Sequence, residues 1–212
     1  MSAAPPEAET ILREVANVSR ETLGLLADYV DLLEKWQSKI NLVSKASLEE
    51  VWMRHVVDSA QLWPLARESA KIWTDLGSGA GFPGLVIAIL GRDRPGLKVH
   101  LIESDQRKAA FLREVIRVTG APAQVHAERI EALEPWASDV VMARALAPLE
   151  KLLPLAKPFV GKQGIALFLK GKAAQSELTA AQRWGTFEVE VIPSRTATEG
   201  TIVKLCRLSR AP

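Results

Sequence analysis

From Ser19 onward, apolar residues recur at Leu23, Leu26, Val30 and Leu33, with Leu25, Tyr29, Leu32 and Trp36 widening the stripe. Spacing by threes and fours is the mark of an amphipathic helix. Ser47 followed by Glu50 has capping-box spacing, in which hydroxyl and carboxylate satisfy opposing backbone N–H groups. It predicts a second helix through Val51, Val56 and Leu62, with Pro64 near its end. Residues 1–65 thus read as a helical extension, headed by a frayed leader over MSAAPPEAETILREVANV.

Beyond residue 65 the period shortens. KIWTDLG, KVHLIES, AQVHA, DVVMARA, GIALFLKG, TFEVEVIPS and GTIVKLCRL are β-type runs, seven in all. Helical patterns follow the first, second and fourth of them, GLVIAIL, QRKAAFLREVIRVTG and APLEKLLPLAKPFV, with a further helix from Ala173 to Arg183 before the last two. Strands joined through helices form a parallel sheet by right-handed crossovers. The last two runs have no helix between them and suit an antiparallel pair. The expectation is an α/β, Rossmann-like seven-stranded domain over residues 66–212.

Composition fits a soluble globular chain. Of 212 residues 48% are hydrophobic and 25% charged, and one cysteine, Cys206, precludes an internal disulfide. The N-terminus lacks a basic region and a continuous apolar stretch, so neither a secretory signal nor a membrane span is expected there, and a cytoplasmic monomer is. The net charge of +2 favours no partner, but its distribution is uneven. Residues 1–60 hold six Lys/Arg against ten Asp/Glu, whereas residues 157–212 hold nine against four. That C-terminal surplus reads either as solvated surface or as a nucleic-acid footprint.

The candidate chemistry lies in DLGSGAGFPG, residues 75–84, directly after the first β-type run. Gly77, Gly79 and Gly81 alternate, so the third glycine arrives one residue early and Phe82 stands where a dinucleotide fingerprint has it. In an open α/β sheet this loop sits at the carboxyl ends of the strands. A carboxylate closing the next strand can take two ribose hydroxyls, and Glu103 is there, twenty-six residues after Gly77. S-adenosylmethionine carries no pyrophosphate, so the bulky Phe82 favours it over NAD or a flavin nucleotide. His100 and His126 alternate with apolar residues inside strands and read as structural. No metal-ligand spacing is present.

NLVS at 41–44, RHVVDS at 54–59, DLGSGAGFPG, LIES at 101–104, KAAFLREV from 108, RIE at 129–131 and MARA at 142–145 form an ordered set. Together they resemble the glucose-inhibited division protein B family, bacterial enzymes that methylate guanine N7 in the 16S ribosomal RNA of the small subunit. The resemblance spans about Asn41 to Lys172. It implies an S-adenosylmethionine-dependent methyltransferase fold, that cofactor, and 16S RNA or the small subunit as partner. By position it places Gly77, Phe82, Ile130, Glu131 and Arg144 at the cofactor. Where the family usually has Asp, this chain has Glu103.

Each of these positions has a plainer reading beside it. Ile130 serves equally as core, and Glu131 as a carboxylate at a helix start. Arg144 closes DVVMA at the buried sheet edge, where a charge without an anionic partner is costly. Arg54 and His55 either clamp cofactor or RNA, or simply pair with Asp58 and Ser59 four residues on. Lys170 and Lys172 flank Gly171 at the end of a strand, where they can meet phosphate. Guanine N7 has no proton to lose, so no catalytic side chain is assigned. The alternatives are a methyltransferase of this fold acting on a protein or small molecule, and a non-catalytic module binding RNA or cofactor.

Overall fold

The computed structural model describes residues 3–210. Its helical part begins earlier than expected: the stretch read as a frayed leader contains helix α1 (Pro6–Ala16), with Ala8 and Leu12 fully buried. Proline opens this helix and Asn17 closes it in the left-handed region, its N–H donated to the Arg13 carbonyl. Met1 and Ser2 lie outside the described residues. Helix α2 (Arg20–Gln37) follows as predicted, with the Ser19 hydroxyl accepting the Thr22 N–H at 3.1 Å.

The predicted second helix is three pieces. Its cap is Ser44, whose hydroxyl accepts the Ser47 N–H, and Ser47 is buried inside the first turn of α3 (Lys45–Glu49). The Ser47–Glu50 capping box is therefore not formed. A π-helical stretch, Trp52–Val57, then runs into the short α4 (Asp58–Ala60).

The sheet contains β1 (Ile72–Leu76), β2 (Lys98–Ile102), β3 (Ala123–His126), β4 (Ser138–Arg144), β5 (Val160–Lys170), β6 (Gly185–Pro193) and β7 (Thr201–Arg210). Their spatial order is β3-β2-β1-β4-β5-β7-β6. The first five pair in parallel, and β7 lies antiparallel between β5 and β6. Helices α5 (Gly84–Leu90), α6 (Gln106–Thr119), α7 (Leu149–Ala156) and α8 (Ala174–Ala181) connect them. Alternate residues of each strand enter opposite cores. Trp73, Leu101 and Met142 join α1, α2, α5 and α6 on one face, and Leu76, Val141 and Phe168 join α7 and α8 on the other. The N-terminal helices thus share one core with the sheet.

Candidate functional site

The direction of winding reverses between β1 and β4, and a cavity of about 490 Å³ opens there at the strands' carboxyl ends. Gly77, Gly79 and Phe82 line it, as do Glu103 after β2, Ile130 and Glu131 after β3, and Arg144 closing β4. These are seven of the eight residues expected at the cofactor. Gly81 is the exception. A Cβ there would collide with Leu85 and meet the Tyr29 hydroxyl at 2.8 Å, so it turns toward the core.

The glycines hold the loop in a shape other residues resist. Gly77, Gly79 and Gly81 have φ of 67°, 56° and 95°. A Cβ on Gly79 would find only the Gly77 carbonyl, at 3.8 Å. The loop is pinned from outside. Glu103 accepts the Gly79 N–H through one oxygen and the Asp105 N–H through the other, each at 2.8 Å. The Tyr29 hydroxyl of α2 donates to the Ala80 carbonyl at 2.5 Å.

Beneath the loop, Asp75 is fully buried and accepts the Gly84 N–H at 3.1 Å through one oxygen. Its other oxygen has no protein partner among the described residues. Burial, opposed by the hydrogen bond from the Gly84 N–H, pushes this carboxyl up to about 7. These residues fit a nucleoside cofactor with an amino-acid tail. The volume lies within the range of small-ligand pockets, and Glu103 keeps free lone pairs for ribose.

Arg144 sits over the Phe82 ring, 5.1 Å from its centroid, and donates to the Arg54 carbonyl at 3.0 Å. Its acidic neighbour is Asp58, at 3.8 Å. The other Asp58 oxygen accepts from Thr196 at 2.9 Å, Gln61 at 3.2 Å and Ser194 at 3.3 Å. The loop between β6 and β7 therefore reaches the pocket through Asp58 and Arg144. Burial raises the Asp58 carboxyl and lowers the Arg144 guanidinium, against the opposing pull of their mutual attraction.

The i, i+4 pairing read from RHVVDS does not occur. Wider π-helical turns carry Asp58 away from Arg54, which pairs with Glu50 at 3.6 Å instead. Ser59 donates to the His55 backbone carbonyl, not its ring. The His55 ring stacks on Phe82 at 4.8 Å behind the pocket, with neither nitrogen hydrogen-bonded among the described residues. Burial first, then the charges of Arg144 and Arg54, push it down to about 3.

Lys170 faces inward. Only 8% of its side chain is exposed; it pairs with Glu177 at 2.8 Å and donates to the Ala147 carbonyl, which excludes the phosphate role expected of it. Glu177 also accepts the Leu149 N–H, so the pair fixes the turn after β4. Lys172 is exposed and outside the cavity. His100 and His126 bond ring to ring at 2.8 Å and pack tilted against Trp136.

The rRNA small subunit methyltransferase G family, GidB, matches residues 22–201. The chain belongs to the GidB family. Among named members, the ribosomal RNA small subunit methyltransferase G of Parvibaculum lavamentivorans is 58% identical over 193 residues, 90% of this chain and 85% of that one. That of Rhodospirillum centenum is 54% identical, covering 97% and 94%. Solved structures share the GidB chain's fold at low identity. A ribosomal-protein methylase of Lactobacillus delbrueckii has a TM-score of 0.59 at 14% identity, over 78% of this chain and 80% of that one. A chain solved with S-adenosylmethionine has 0.55 at 19%, over 95% and 83%. The GidB chain is an S-adenosylmethionine-dependent methyltransferase of the Rossmann-like class.

Several pocket residues escaped sequence reasoning. Leu42 and Val43 wall the cavity from the segment after α2, and Leu146 closes over Gly77. NLVS held the first two inside a recognised motif but carried no chemistry to mark them. Tyr29 looked like one more apolar position in a helical stripe, and Thr196 lay in a hairpin loop without a motif.

Proposed function

We propose that this chain transfers a methyl group from S-adenosylmethionine to N7 of a guanine in 16S ribosomal RNA of the small subunit, acting as a cytoplasmic monomer. The observation that carries the reading is a cavity of about 490 Å³ at the sheet switch point, lined by the glycine loop and Glu103, in a member of this family. When bound, S-adenosylmethionine supplies an electrophilic methyl group on a sulfonium. Gly77 and Gly79 give its tail and ribose room against the backbone, while Glu103 takes the ribose hydroxyls. Ile130 and Glu131 border the adenine side. Phe82 and Arg144 form the wall facing the incoming base, with Arg54 and His55 behind them as support for that wall.

A nucleophile without a proton suits this wall. Arg144 cannot accept a proton near neutrality, and Asp75 lies under the loop. The residues contribute positioning and exclusion of water, which in favourable cases lower a barrier by about 7 kcal/mol or more. The base reaches them from a loop or splayed from its stack. No described helix is long and apolar enough to cross a membrane.

The test is incubation of the protein and methyl-labelled cofactor with small subunits, or their extracted RNA, from cells lacking the protein, followed by nucleoside mass spectrometry. Label in 7-methylguanosine of 16S RNA is the expected result. Label in protein, in another nucleoside or in nothing would overturn the assignment.

A further inference from the structure

Gln37, the last residue of α2, shapes the irregular segment that follows it. Its side-chain oxygen accepts the N–H groups of Leu42 and Val43, each at 3.0 Å, and its amide donates to the Val43 carbonyl at 2.8 Å. Three backbone groups satisfied by one side chain turn a loop into a fixed surface. Leu42 and Val43 face the cofactor cavity, while Lys39, Asn41 and Lys45 are exposed.

Two further depressions open on this segment. One, about 720 Å³, includes Asn41, Ser44 and Lys45; the other, about 350 Å³, includes Lys39, Asn41, Arg107 and Lys108. They share Asn41 with each other. Leu42 and Val43 join the first to the cofactor cavity, and Lys108 joins the second to it. The result is one groove that ends where the methyl group is held.

Its charge is lopsided. Lys39, Lys45, Arg107 and Lys108 line the two depressions against a single acid, Asp105, which caps α6 by accepting the Arg107 and Lys108 N–H groups. Among the described residues, Lys39, Lys45 and Lys108 form no ion pair. The C-terminal surplus differs. There four of the nine basic residues, Lys170, Arg195, Lys204 and Arg207, pair with Glu177, Glu14, Glu190 and Glu188, and Lys162 and Lys172 stand exposed away from the cofactor cavity. The groove is lined by no aromatic side chain on which bases would stack. Its chemistry suits phosphates.

We propose that the RNA strand flanking the target guanine lies in this groove, with its phosphates against Lys39, Lys45 and Arg107, while the pocket alone selects the base. This rests on the reading of the protein as an RNA methyltransferase. The test compares the K39E/K45E double variant with K162E, a control at the exposed start of β5, and with K172E. Binding to 16S RNA is measured across salt concentrations, and S-adenosylmethionine affinity by calorimetry. The groove predicts that K39E/K45E weakens RNA binding at least tenfold at about 0.1 M salt and makes its salt dependence shallower by roughly one to two units of slope. Cofactor affinity and the transfer rate at saturating RNA stay within twofold, and K162E and K172E behave as wild type. RNA binding and salt slope unchanged in K39E/K45E would overturn the proposal, as would a loss confined to K172E. Wild-type protein that transfers no methyl to RNA would instead overturn the functional reading beneath it.

Discussion

The glycine loop after β1 and the π-helical turn Trp52–Val57 both close around Phe82, yet they acquire their shapes differently. The loop needs positive φ at Gly77, Gly79 and Gly81, and only glycine adopts that backbone without strain. Its conformation is written in its residue types. WMRHVV holds no glycine or proline and would pass for an ordinary helix. Its widened turn coincides with distant partners: the Arg54 carbonyl bonds to Arg144, ninety residues away, and the His55 ring stacks on Phe82. An unusual backbone shape is legible when it demands glycine, and hidden when it demands a partner from another element.

The sharpest break in this comparison is Arg144→Ala, which removes the link between the two regions. Methyl transfer in single turnover should fall by about a hundredfold or more. Asp58 keeps its Thr196, Ser194 and Gln61 donors, so the melting temperature should move only a few degrees. A variant that melts far lower but transfers normally once folded would make Arg144 purely structural.

Within the loop, Gly79→Val and Gly81→Val should part company. Both impose a positive φ on a branched residue, costing about 1–3 kcal/mol. At Gly79 the new side chain enters the cavity, so calorimetry should show cofactor affinity reduced tenfold or more with cooperative melting retained. At Gly81 it strikes Leu85 and Tyr29, and soluble folded protein should be lost. Equal affinity of Gly79→Val and wild type would remove the loop from the cofactor site.

A smaller effect is expected from Thr196→Val, which deletes one donor to Asp58 and loosens Arg144 from the far side. With about 1 kcal/mol at stake, the transfer rate should drop roughly fivefold while cofactor affinity holds, and Thr196→Ser should restore it. A rate unchanged in the valine variant would disconnect the hairpin loop from the pocket.

The smallest effects are read in stability against pH, and they have opposite signs in the two regions. His55 is pushed down to about 3 in the folded chain, so its contribution is complete above the unfolded value near 6.5 and is lost as pH falls toward 3. His100, pushed down to about 4 by burial, adds to the same acid limb. Asp75 is raised to about 7, so its contribution is complete below 3.8 and is lost as pH rises through 7. Chemical denaturation from pH 4 to 9 should show the acid limb flattened in His55→Phe and the neutral-to-alkaline limb flattened in Asp75→Asn. Identical profiles in both variants and wild type would refute these assignments.

Much of the architecture was legible because it depends on local pattern. Apolar periodicity located α2 and the seven strands, the missing helix before β7 announced its antiparallel pairing, and Ser19 marked a true cap. Glu103 was legible too, since a carboxylate at the end of β2 has few places to point. Helix α1 was missed although Ala8, Ile11, Leu12 and Val15 keep helical spacing, and it is held by burial of Ala8 and Leu12 against the sheet-facing core. Ser47 was the expected cap, yet Ser44 three residues earlier caps the helix and Ser47 is buried within it.

The chain's own residue order specified the strands, the glycine turn and the acid beside it, because each follows from preferences acting within a few residues. Which charges remain available to a partner was decided only when the chain closed. Lys170 and Lys172 stand two apart, yet one is held by Glu177 and the other is exposed. Arg54 and Asp58 have the spacing of an ion pair, yet a π-helical turn sends Asp58 to Arg144. Charge pairing and burial depend on distances across the fold, and no local spacing encodes them.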